Sequence, residues 1–148
     1  MTEQQMQEAL DRVTFHTQFE ALEDADFIIE CAAESIETKR EVFQKLEKIV
    51  GKDVILASNT SSLSLTRIAG TVPKRADKVV GMHFFNPVPI MPLLEVVTAL
   101  QTSQDTIDKA IHLGKELNKV PIVVKDSPGF ACNRILLPYL NEAITTLQ

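Results

Sequence analysis

Short, almost wholly apolar runs recur along this chain between stretches of helical spacing, and that alternation narrows the possible folds more than any other feature. Residues 27–32 (FIIECA), 54–57 (VILA), 79–85 (VVGMHFF), 93–98 (LLEVVT) and 122–124 (IVV) are such runs. A strand that is apolar at successive positions has to be covered on both faces, as happens in a sheet flanked by helices. From residue 36 to 50, Val42, Phe43, Leu46, Ile49 and Val50 follow helical spacing, with Gly51 expected as the C-cap. Residues 104–118 repeat the pattern through Ile107, Ile111, Gly114 and Leu117. Shorter helices are expected over 2–11 and 64–69, and a short strand over 13–15. Ser127-Pro128 is placed to open a last helix, with Pro in its first turn, and Pro138 is expected to kink it. Together these elements predict an α/β fold with helices on both faces of a sheet.

The last helix carries Leu136, Leu137, Leu140, Ile144 and Leu147 to the end of the sequence without a polar stop. The first residues offer no strand followed by a glycine-rich turn, so both ends read as cuts through a larger fold.

Composition excludes several classes of function. At 148 residues the chain can bury a core without metal or disulfide. Its 15 Lys and Arg against 20 Asp and Glu leave a net charge of −5 with no basic stripe, which argues against nucleic-acid binding. No apolar stretch reaches the roughly 18 residues that cross a bilayer. The start, MTEQQMQEALDR, resembles neither a secretory signal nor a transit peptide. Cys31 and Cys132 are isolated, as suits a reducing compartment. A cytoplasmic protein without a membrane partner is expected. No His, Cys, Asp and Glu cluster has metal-ligand spacing, and His16 and His112 are expected at the surface.

The most informative segment is GMHFFNPVPIMPLLEVV, residues 81–97. Pro87, Pro89 and Pro92 forbid regular pairing in its middle. If the chain doubles back about Pro89, His83 and Glu95 meet, six residues on either side. Glu95 lies among Leu93, Leu94, Val96 and Val97, and a buried carboxylate needs a partner. An imidazole held by it would be oriented as a general base; equally, His83 could be a satisfied core histidine and Glu95 could bond a loop amide.

Three further segments sit at strand ends or helix starts. Residues 58–62 (SNTSS) follow a buried strand, where ligands of open α/β sheets bind, although the same residues also make turns and N-caps. In KDSPGFACNR, residues 125–134, Asn133 is a poor helix former one turn into a helix, and Arg134 is expected in solvent. Glu34 would sit in the crevice beyond the first strand or favour the dipole of the next helix. Lys39 reads as a solvated helix charge.

Read together, ILASNTSSLSLTRIA, GMHFFNPVPIMPLLEVV and DSPGFACNRILLPYLNEAI, with the looser ADFIIECAAESIETKREVFQKLE, resemble the NAD-dependent L-3-hydroxyacyl-CoA dehydrogenases. The likeness runs from about Val13 to the last residue, in the same order and spacing. It implies an incomplete Rossmann-like NAD-binding domain over residues 1–125 and the beginning of an α-helical C-terminal domain over 126–148. It also implies His83 as catalytic base, Glu95 as its partner, and Ser61 and Asn133 as the groups on the substrate's 3-oxygen. Glu34, Lys39, Asn59, Ser61 and Asn86 match positions that contact the nicotinamide half of NAD or shape its pocket. The implied reaction oxidises an L-3-hydroxyacyl-CoA to the 3-oxoacyl-CoA, and a homo-oligomer through the C-terminal helix is expected.

One departure stands out. The glycines are Gly51, Gly70, Gly81, Gly114 and Gly129, no two of them two residues apart, so the Gly-x-Gly-x-x-Gly turn is absent. A second reading is therefore a folded but inactive family member acting as an assembly, interaction or structural protein.

Overall fold

The computed structural model describes residues 2–147. Five strands form one sheet in the order β1 (Phe27–Glu30), β2 (Ile55–Ser58), β3 (Val79–Phe84), β4 (Leu93–Thr98) and β5 (Val120–Lys125). β1, β2 and β3 are parallel, β3 and β4 antiparallel, and β4 and β5 parallel. The antiparallel step follows from the linker: residues 85–92 are too few for a crossover, so the chain has to fold back.

Both faces of the sheet are covered. On one, Phe43 and Leu46 of α2 (Ile36–Ile49) and Leu65 and Ile68 of α3 (Leu65–Ala69) pack on Ile28, Leu56, Val79 and Val97. On the other, Ala110, Ile107 and Ile111 of α4 (Gln104–Glu116) pack on Ile55, Val80, Met82, Leu94 and Val96. The side-chain period of two sends alternate strand residues to the two cores, which is why the strands read as unbroken apolar runs. Gly81 permits the β3–β4 approach, since a Cβ there would lie 2.7 Å from Val97 Cβ.

Several local expectations are corrected. The strand over 13–15 does not form: Val13 and Phe15 are exposed, and among the described residues no strand pairs with them. α2 ends at Val50 in an extended conformation, so Gly51 is not a left-handed C-cap. The last helix, α5 (Cys132–Thr146), begins beyond Ser127-Pro128, because Gly129 (φ 77°) and Phe130 (φ 50°) turn the chain first. Pro138 lies inside α5 without ending it. Its apolar residues Leu136, Leu137, Leu140 and Ile144 are exposed. The N-terminal helix α1 (Glu3–Leu10) is held by a Thr2–Gln5 capping box and buries nothing.

Candidate active site

Parallel pairing brings the carboxyl ends of β1, β2 and β3 to one edge of the sheet, and the reversal into β4 adds Glu95 there. His83 stands directly opposite Glu95 in the β3–β4 ladder, as folding about Pro89 predicts. Its Nδ1 is 2.7 Å from Glu95 Oε2. Glu95 is fully buried and His83 is 4% exposed. The second carboxylate oxygen, Oε1, accepts the backbone N–H groups of Ala131 and Cys132 at 3.0 and 2.9 Å. One carboxylate thus holds the imidazole and also receives the first amides of α5, which has no side-chain cap of its own.

Burial opposes ionisation of Glu95, yet the bond to His83 and then those from Cys132 and Ala131 outweigh it and hold its pKa below the ordinary carboxylate range. An ionised carboxylate only accepts hydrogen bonds, so the Nδ1–H of His83 donates to it and Nε2 is the ring nitrogen turned away from Glu95. Phe85 lies 4.7 Å from the imidazole, centroid to centroid, and Phe130 meets it edge-on at 5.6 Å.

The loop after β2 is gathered by a single acceptor. Glu34 Oε1 receives Thr60 Oγ1 (2.6 Å), Ser61 N–H (2.9 Å), Ser62 N–H (3.2 Å) and Ser62 Oγ (3.1 Å). Burial works against its ionisation, but Thr60, Ser61, Lys39 and Ser62 together keep its pKa low. Glu34 precedes the α2 N-cap, Ser35, so it serves this loop rather than the first turn of the helix. Ser61 itself is exposed.

Lys39 is not a solvated helix charge: it is 1% exposed, and its ammonium lies 2.9 Å from both oxygens of Glu30. Glu34 Oε2 is 3.5 Å from the same ammonium. Asn59 Oδ1 accepts the N–H of Phe84 at 2.9 Å, tying the ends of β2 and β3. Asn86 is exposed just beyond β3, at the cis bond to Pro87. Asn133 is half-buried in the first turn of α5 and lines an apolar groove of about 420 Å³ with Phe85, Cys132, Ile135, Leu136 and Tyr139. Arg134, His16 and His112 are exposed, as expected.

Glu30, Phe85 and Phe130 belong to this site although the motifs give them no role, and Thr60 joins it from the 58–62 segment. The one legible signal is Glu30, an acid inside an otherwise apolar run. Among the described residues no group of three His, Cys, Asp or Glu could hold a metal ion, and no helix is long and apolar enough to cross a membrane.

A sheet with helices on both faces, and polar groups gathered where its strands end, is the arrangement of open α/β domains, whose ligands bind beyond the carboxyl ends of the strands, dinucleotide-binding domains among them. Residues 1–127 match the family described as 3-hydroxyacyl-CoA dehydrogenase, NAD binding domain, and the chain belongs to that family. It is 51% identical over 137 residues to 3-hydroxybutyryl-CoA dehydrogenase of Clostridioides difficile, covering 93% of this chain and 48% of that one. Over 119 residues it is 46% identical to the human mitochondrial hydroxyacyl-coenzyme A dehydrogenase, covering 80% and 38% respectively. The crystal structure of (S)-3-hydroxybutyryl-CoA dehydrogenase PaaH1 from Ralstonia eutropha superimposes with a TM-score of 0.96 at 46% identity, over 99% of this chain and 52% of that one. The chain spans about half the length, or less, of these relatives.

Proposed function

We propose that this chain carries the catalytic half of an NAD-dependent oxidation of L-3-hydroxyacyl-CoA to 3-oxoacyl-CoA. The observation that carries the reading is the His83–Glu95 pair, 2.7 Å apart and almost wholly buried. With Nδ1–H donated to Glu95, Nε2 accepts the proton of the substrate's 3-hydroxyl, and the carboxylate stabilises the imidazolium that forms. Ser61 and Asn133, whose side chains make no hydrogen bond among the described residues, bind the 3-oxygen. The apolar groove beside Asn133 accepts the acyl portion of an acyl-CoA.

The residues present fit the nicotinamide half of NAD. Glu34, Ser61 and Asn86 reach the surface at the strand ends, and a partly exposed carboxylate suits the cationic ring of the oxidised cofactor. Asn59 and Lys39 shape this pocket from beneath, Asn59 through β3 and Lys39 through its two carboxylates. Bound NAD would supply the hydride acceptor. The pyrophosphate has no Gly-x-Gly cradle among these residues. Work in the cytoplasm and self-association through α5 belong to the same reading.

The test is NADH oxidation with acetoacetyl-CoA by the purified chain and its His83→Gln variant. Loss of a general base lowers turnover by about 10²–10⁴-fold, while the circular dichroism of the variant stays that of the parent. Equal turnover in the two would sink the mechanism. A second reading, an inactive member acting as an assembly module, is favoured by the exposed apolar face of α5; no turnover in a folded sample would select it.

A further inference from the structure

Beneath the residues of the proposed reaction lies a buried charge network that takes no part in the proton transfer. Glu30 closes β1, and its carboxylate binds the Lys39 ammonium through both oxygens at 2.9 Å. The same carboxylate accepts Ser58 Oγ at 2.7 Å and the N–H of Ala32. Every acceptor position of a buried anion is thereby engaged, which burial of a charge demands. Lys39 also donates to Ala32 O at 3.4 Å. Such pairs add little stability over apolar residues of similar volume, so stability alone does not account for the burial of this one.

The geometry points to a role: we infer that Glu30 and Lys39 are positioning residues, a buried pair that places the Thr60–Ser62 loop by holding Glu34. The Lys39 ammonium is one cation between two carboxylates, 2.9 Å from Glu30 and 3.5 Å from Glu34 Oε2. Glu30 anchors it, and the anchored charge fixes the free oxygen of Glu34. The other oxygen then faces the loop and collects its four donors. Charge-assisted bonds of this kind are about twice as strong as neutral ones, so the ionised, oriented state of Glu34 sets how firmly the loop is held. A partly exposed glutamate alone would exchange these donors for water. Lys39 thus acts through Glu34, with its own donors spent inside the protein.

This deepens the proposed function, because Ser61 lies on that loop, but its test needs no turnover. Amide hydrogen exchange of the full chain, read residue by residue by NMR, reports the Ser61 and Ser62 N–H groups that Glu34 accepts. Lys39→Met accelerates exchange at both by about tenfold, because Glu34 loses its anchor and its bonds to these amides weaken, while β2 and β3 amides keep their protection. Because Lys39→Met leaves Glu30 buried and unpaired, the neutral double variant Glu30→Gln/Lys39→Met is the companion that keeps the fold, and it shows the same acceleration. In a Glu34→Ala background the double substitution adds nothing further, since the effect runs through Glu34. Unchanged Ser61 and Ser62 exchange in a folded double variant, or full additivity with Glu34→Ala, overturns the inference. Failure of the wild-type chain to bind NADH or turn over would instead strike the proposed function and leave this comparison intact.

Discussion

Glu95 joins His83 to the start of α5: one carboxylate oxygen lies 2.7 Å from Nδ1, and the other receives two backbone amides that precede Asn133. A single side chain thereby ties the β3–β4 ladder to the start of a helix. In Glu95→Ala both sets of bonds are lost, and the unfolding free energy measured in urea falls by about 3 kcal/mol. Glu95→Gln keeps one acceptor and loses less. A Glu95→Ala midpoint equal to the parent's would mean that the amides of α5 find another partner.

The same carboxylate sets an acid limit. Its folded pKa is depressed below the ordinary 4.5, as is that of Glu34. The stabilisation these groups confer is complete above the unfolded value and is lost as pH falls below about 4.5 toward the folded values. Thermal melts from pH 6 down to pH 3 therefore fall for the parent and fall less steeply for Glu95→Gln. Parallel curves would rule out a linked proton at this site.

Two buried glycines respond differently to alanine. At Gly81 an added Cβ meets Val97 Cβ at 2.7 Å, a branch point that cannot swing aside, and overpacking there costs about 1–3 kcal/mol. At Gly114 the atom met at 2.7 Å is Leu94 Cδ2, the movable end of a side chain, and alanine gains up to about 1 kcal/mol of helix propensity. Chemical denaturation should rank Gly81→Ala well below Gly114→Ala; the reverse order would refute the packing argument.

Gly129 holds φ at 77°, and a Cβ there would lie 2.9 Å from the N of Arg134. Gly129→Ala carries about 1–2 kcal/mol of left-handed strain, concentrated at the turn that aims the Ala131 and Cys132 amides at Glu95. Beyond lower stability, the NMR shifts of those two amides move; if they stay in place, the turn is not what aims them.

The outward face of α5 gives the last prediction. Leu137 and Ile144 are exposed apolar residues on a helix that buries none of its own. Leu137→Glu with Ile144→Glu shifts the chain toward monomer in size-exclusion chromatography with light scattering. A parent that is already monomeric at high concentration would remove self-association from the proposal.

The sequence by itself determined which residues could be strands and which ones meet at the hairpin. Apolar runs report coverage on two faces, and the prolines of residues 87–92 leave only a reversal that sets His83 against Glu95. Those signals are local or symmetric about a local turn, so they survive without coordinates. The triplet at 13–15 and the start of the last helix misled because a strand exists only where another chain segment offers a ladder, and a helix begins only where its amides find an acceptor. Only the tertiary structure decided that Glu95 is that acceptor for α5, across a separation of 36 residues. It alone placed Lys39 in the interior beside Glu30 and Glu34, and made Glu34 the acceptor for a loop 26 residues away. A charged residue on a helix has the same pattern in sequence whether it faces water or a buried carboxylate, and only the packing of β1 against α2 distinguishes the two.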